Sequence, residues 1–169
     1  MSNAGWSDLQ ARLERTQGLE VEPHVGAGPI KLGLSRREVR AVMGAPSRTY
    51  SKVPGAPLTD TYFGTDLQVY YDAGDRVECI ELNGPGSINP TLRGRTLLFA
   101  PAEEVIDWMR GIADFDADDP ELGYSYVYPG LDLSLWRPVV PEGPDDIEGL
   151  TFRSVGVGRL GYYRKGSAG

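Results

Sequence analysis

The chain has 169 residues, a net charge of −7 and 40% hydrophobic residues, enough to fill one core or two small packed halves. Its 22 glycines and 13 prolines favour strands, turns and short helices over a helical bundle, and its single cysteine, Cys79, excludes an intramolecular disulfide. The acidic balance argues against nucleic-acid binding and anionic membranes, and neither an apolar N-terminal signal region nor a membrane-length apolar run is present, so a cytoplasmic location is expected.

The stretch WSDLQARLERTQGL predicts a short helix with Ser7 as N-cap, Gln10 as its capping-box partner and Gly18 near its end. Its apolar stripe is thin, Leu9 and Leu13. VEPHVGAGP reads as a loop or edge strand, and IKLGL alternates Ile30, Leu32 and Leu34 as a strand does. In SRREVRAVMGAP, Ser35 is the N-cap, Glu38 bonds back to it, and Leu34 with Val39 fits a hydrophobic staple. Val39, Val42 and Met43 are expected to share one face, Gly44 stops the helix and Pro46 prevents its resumption.

Strands are expected over 49–53, 59–63, 67–71 and 77–82, the last two joined by the turn DAGD. Cys79 then falls on the buried face as a small hydrophobe. NGPGSINPT, 83–91, is the clearest punctuation and marks a boundary between halves. A second helix, PAEEVIDWMRG, follows with Pro101 at its N1 position. One offset aligns Glu38-Val39 with Glu104-Val105, Met43 with Met109, and DLQVYY with DLSLWR; VECIEL and FRSVGV match in pattern once a longer loop is allowed. Coincidence of composition and internal duplication both fit. The expected fold is α+β: two similar helix-on-antiparallel-sheet halves, a tandem repeat over 5–83 and 92–165, the first with a short N-terminal helix, packed as one unit.

The pattern Ile30-x-x-Gly33-Leu34-Ser35-x-x-Glu38-Val39, continued by Gly44-x-Pro46 and paired strands, resembles the SmpA/OmlA-type module over residues 28–83. Tandem copies of that module build the β-lactamase-inhibitory-protein fold. The resemblance implies a compact module that binds proteins and does no catalysis. This chain departs from those relatives in lacking an export signal and a cysteine pair.

Motifs for catalysis fail on context. GVGRLG, 156–161, satisfies G-x-G-x-x-G but has no helix after it to present amides to a phosphate; a strand end or bulge explains it. DFDADD, 114–119, places aspartates as a calcium loop would, yet Asp119 stands where that loop needs Gly and Ser125 where it needs Glu. His24 is the only histidine, which excludes zinc sites built on several His or Cys ligands. No metal and no cofactor is expected, and no carboxylate pair is singled out for hydrolysis.

What remains joins acids to aromatics. Between Asp114 and Glu148 stand ten acids and one base, Arg137. Tyr124, Tyr126 and Tyr128 alternate and are expected on one strand face beside Trp136, flanked by the acids Asp114, Asp116, Asp118 and Asp119 and by Glu142, Asp145, Asp146 and Glu148. A protein-binding patch fits this pattern, and half-buried sheet packing of the tyrosines fits it too. The leading expectation is a small binding or inhibitory protein, an immunity-type module whose acids neutralise a basic partner such as a toxin or enzyme. A small-molecule-binding or scaffold domain is the alternative, and a carboxylate-based hydrolase the third.

Overall fold

In the computed structural model, which describes residues 3–164, three helices accompany two mostly antiparallel sheets in an α+β architecture. Lys165, the expected end of the second half, lies outside the described residues. Helix α1 (Asn3–Leu13) begins before the expected cap, so Ser7 lies inside it. Trp6 gives the reason: one turn ahead of Leu9, it joins Leu9 and Leu13 on the core side only if the first turn is helical.

Strands β1 (Gln17–Glu22), β2 (Gly26–Ala27) and β3 (Ile30–Lys31) follow. The expected strand 30–34 is cut short because Gly33 turns at φ 84° and its N–H bonds to Val77 O instead. Helix α2 (Arg36–Met43) has the full capping box, Ser35 Oγ accepting from Glu38 N and the Glu38 carboxylate from Ser35 N. Only part of its apolar face is covered. Val39 is buried and Met43 half-buried, but Val42 is 55% exposed, because the helix turns Arg36 and Arg40 toward the sheet.

The chain then runs as a meander through β4 (Arg48–Ser51), β5 (Leu58–Tyr62), β6 (Leu67–Tyr71) and β7 (Val77–Asn83). The expected punctuation at 83–91 is shorter in the structure. Only 84–87 is loop; β8 (Ile88–Leu92) is a strand parallel to β1, and β9 (Arg95–Thr96) returns against it. Pro101 is the N-cap of helix α3 (Ala102–Met109), one position earlier than expected, and Ala102 N is satisfied by Leu150 O. Strands β10 (Ser125–Tyr128), β11 (Leu133–Trp136) and β12 (Ser154–Gly158) form a second meander.

The larger sheet has the order β10-β11-β12-β7-β6-β5-β4, and the smaller one β3-β2-β1-β8-β9. The last strand of each meander, β7 and β12, pair antiparallel in the middle. Strand alternation places Leu67, Val69, Ile80, Leu82, Leu133, Leu135, Val155 and Val157 on one face of the larger sheet. They join Leu97, Phe99, Val105, Ile106 and Met109 in one contiguous core. Each such side chain contributes about 1.5–3 kcal/mol on burial, so this face fixes the register of the sheet.

Candidate protein-binding surface

The acidic segment 114–119 lies along the outer edge of β10, where Asp116 N donates to Val127 O at 2.8 Å. Phe115 anchors it, packing edge-on against Tyr126 (5.1 Å between centroids) and Tyr128 (6.2 Å). Asp116 Oδ1 accepts from Asp118 N and Asp119 Oδ1 from Glu121 N, so two of the aspartates brace the loop as Asx turns. Among the described residues no group of three or more His, Cys, Asp or Glu side chains comes together to hold a metal ion.

The three tyrosines do not share one surface. Tyr126 and Tyr128 point to the core side of β10; Tyr126 also packs edge-on against Phe152, and Tyr128 is fully buried, its hydroxyl without a hydrogen-bond partner among the described residues. Burial, and after it the neighbouring Tyr126, pushes the Tyr128 phenol up. Tyr128 is therefore core, and a partner cannot touch it without unfolding the strand. Tyr124 precedes the strand, beyond the turn at Gly123 (φ 102°), and is 47% exposed. Trp136, 41% exposed, lies on the opposite face of the sheet from Tyr126.

Arg137 organises this end of the molecule. It continues the inward parity of Leu133 and Leu135, and only 2% of it is exposed. Its Nε donates to Gly123 O at 2.8 Å, and Nη1 donates to Gly149 O at 3.1 Å and to Glu103 at 3.0 Å, with the rings of Tyr126 and Phe152 beside it. One guanidinium thus ties the loop ending at Gly123, the loop ending at Gly149 and helix α3 together. The five-donor fork of arginine suits this task; a lysine could not span it.

The electrostatic consequence is direct. The single base of the 114–148 segment faces inward, while Asp114, Glu142, Asp145 and Glu148 are exposed and, among the described residues, form no ion pair. Asp146 Oδ2 accepts from Glu142 N, which fixes the turn of the second loop. In the first half the pattern is reversed: Glu38, Asp60, Asp72, Asp75 and Glu78 all pair with arginines.

Sequence reasoning missed the Asp60 cluster. Asp60 on β5 is fully buried and accepts from Arg36, Arg40, Thr49 and Tyr71, with the Arg36 guanidinium 4.0 Å from the Tyr71 ring centroid. Burial would raise its pKa, but the bonds from Arg40 and Thr49 and the charges of Arg40 and Arg36 outweigh this and hold it below the ordinary carboxylate value.

No family model, curated protein or solved structure matches this chain. Its chemistry therefore rests on the geometry of its own residues. His24 Nε2 lies 3.1 Å from Asp132 Oδ2, and the same buried carboxylate accepts from Gly161 N and Tyr163 N. The pair links the β1–β2 turn to the C-terminal turn. The glycines of GVGRLG serve packing: Gly156 and Gly158 sit beneath Tyr163 and Tyr162, and Gly161 turns at φ 86°. Among the described residues no helix is long and apolar enough to cross a membrane.

Proposed function

We propose that this protein is a binding module whose acidic second half docks on a basic partner protein, such as a toxin or enzyme, and blocks it. The observation that carries this reading is the inward turn of Arg137, the one base between Asp114 and Glu148, which leaves Glu142, Asp145 and Glu148 exposed and, among the described residues, outside any ion pair. Such a field steers a cationic surface into contact and competes for the lysines and arginines that would otherwise hold phosphate.

The order of elements supports two copies of one SmpA/OmlA-like module within that reading. The bounds of α2 and α3 differ by the same offset as the starts of β6 and β11, and each helix precedes an antiparallel meander. A second reading, small-molecule binding, is favoured by a hollow between β9 and α3 lined by Arg95, Ala100, Glu104, Val105 and Trp108. A small molecule retained through purification and seen by native mass spectrometry would favour it.

The test of the leading reading is a low-salt pull-down from lysate of the source organism, comparing the chain with the variant D114N/E142Q/D145N/E148Q. Capture of a basic protein by the unmodified chain alone, with an association rate falling at least about tenfold from low to high salt, is the expected result. An equal catch by both proteins, or a salt-independent rate, overturns it.

A further inference from the structure

We infer that the hollow between β9 and α3 is a binding site for a small zwitterion, an α-amino acid with an apolar side chain: Arg95 takes its carboxylate, Glu104 its ammonium, and the wall of Ala100, Val105 and Trp108 its side chain. The inference rests on the small-molecule reading above and names the ligand class.

These five residues and Thr96 enclose a volume of about 270 Å³. Pockets for drug-sized ligands run from about 300 to 1,000 Å³, so this one suits a smaller molecule. Its walls are set by the core. The link from β9 to α3 is buried at Leu97, Leu98 and Phe99, and Thr96 Oγ1 braces it, donating to Asn89 Oδ1 at 2.6 Å and accepting from Phe99 N at 3.2 Å. Val105 is buried, and Ala100 and Trp108 pack half-buried against the core. Glu104 stands one helical turn before Trp108, which puts both side chains on one face of α3.

The charges decide the ligand. The Arg95 guanidinium lies 5.1 Å from the centroid of the Trp108 ring, a contact that leaves the N–H donors of its fork free to take a carboxylate through two parallel bonds. The neighbouring acids of α3 are already paired, Glu103 with Arg137 and Asp107 with Arg110. Glu104 and Arg95 are exposed and line the same hollow, yet among the described residues neither enters an ion pair, with the other or elsewhere. A simple anion there is opposed by Glu104 and a simple cation by Arg95, whereas a molecule carrying one charge of each sign meets both.

The experiment is an NMR titration of the full chain with L-leucine, isocaproate and isoamylamine, which share one apolar body and carry both charges, the carboxylate alone or the ammonium alone. Leucine is expected to bind at least about tenfold more tightly than either analogue, with the largest shifts at the Trp108 indole N–H and the Thr96 and Val105 amides. Arg95→Gln should bring leucine down to the affinity of isoamylamine, and Glu104→Gln down to that of isocaproate, with urea midpoints unchanged because both side chains are exposed. Equal affinities for the three compounds, or leucine binding unaffected by both variants, overturn the zwitterion and leave the small-molecule reading standing. Leucine shifts that avoid Trp108 overturn the site. If none of the three binds, the zwitterion falls, and the small-molecule reading falls with it when native mass spectrometry of the purified chain shows no retained compound.

Discussion

The hydroxyl of Tyr163 occupies the space into which a Cβ on Gly156 would project, and Ser134 Oγ, which lies 3.0 Å from that hydroxyl, closes the other side. Gly156→Ala must therefore displace the C-terminal turn from β12. A loss of about 1–3 kcal/mol is expected from overpacking, read as a lower urea midpoint with an unchanged slope. Gly161→Ala is the contrast: nothing lies within 4 Å of its added methyl, so only the strain of φ 86°, on the order of 1 kcal/mol, should be felt.

Asp60→Asn should destabilise by about 3–5 kcal/mol, because Arg36 and Arg40 lose the buried charge they share. The pH dependence follows from the lowered pKa. A carboxylate held below its ordinary value of 3.8 contributes stability that is present above that value and lost as pH falls through the folded-state pKa. Asp72 acts in the same direction, through the N–H of Arg76 and that of Gly74. Urea unfolding followed from neutral pH downward should show stability falling below about pH 4, with a shallower fall in Asp60→Asn; equal slopes in the two proteins contradict the assignment.

Replacing Arg137 with Met removes the donor of two carbonyls and the partner of Glu103. A loss of about 2–4 kcal/mol is expected, together with faster amide hydrogen exchange at Tyr124 and Gly149. Arg137→Lys keeps the charge but not the fork and should restore less than half of the loss. Full restoration would mean that charge alone matters.

Cys79 is buried on β7, and burial pushes its thiol up to about 11 despite bonds from Tyr163 and Tyr162. At neutral pH the native protein should resist a thiol-specific disulfide reagent on the timescale in which the urea-unfolded chain reacts fully. Rapid native labelling would place the β7–β12 seam among the frequently opened parts of the fold.

Local chemistry was legible where it was decided locally. Ser35 and Glu38 define their helix start within four residues, and the β6–β7 hairpin follows from alternation around Asp72 to Asp75, whose first carboxylate accepts from Gly74 N and Arg76 N. The parallel pairing of β1 with β8 was not legible, because residues 17–20 carry no mark of partners at 88–91. Tyr126 and Tyr128 share a strand face as alternation requires, and of the two readings open for them, packing holds because Phe115 covers that face from outside the strand. Tyr124 falls one residue before β10, next to the turn at Gly123 (φ 102°), where alternation no longer applies. Arg137 and Asp60 left a usable signal: each shares the parity of buried apolar neighbours, Leu135 and Tyr62, and a charge at an inward position requires a partner.

Neither meander closes its own edge. On the side of β7 away from β6, Cys79–Asn83 pairs with Ser154–Gly158, the last strand of the described residues. A chain emerging from the ribosome carries β7 with an open side until β12 follows it, so chaperone engagement should concentrate on that interval. For the same reason, two fragments separated within the 84–87 loop should each be poorly soluble alone and should reassemble when refolded together, each supplying the strand edge the other lacks.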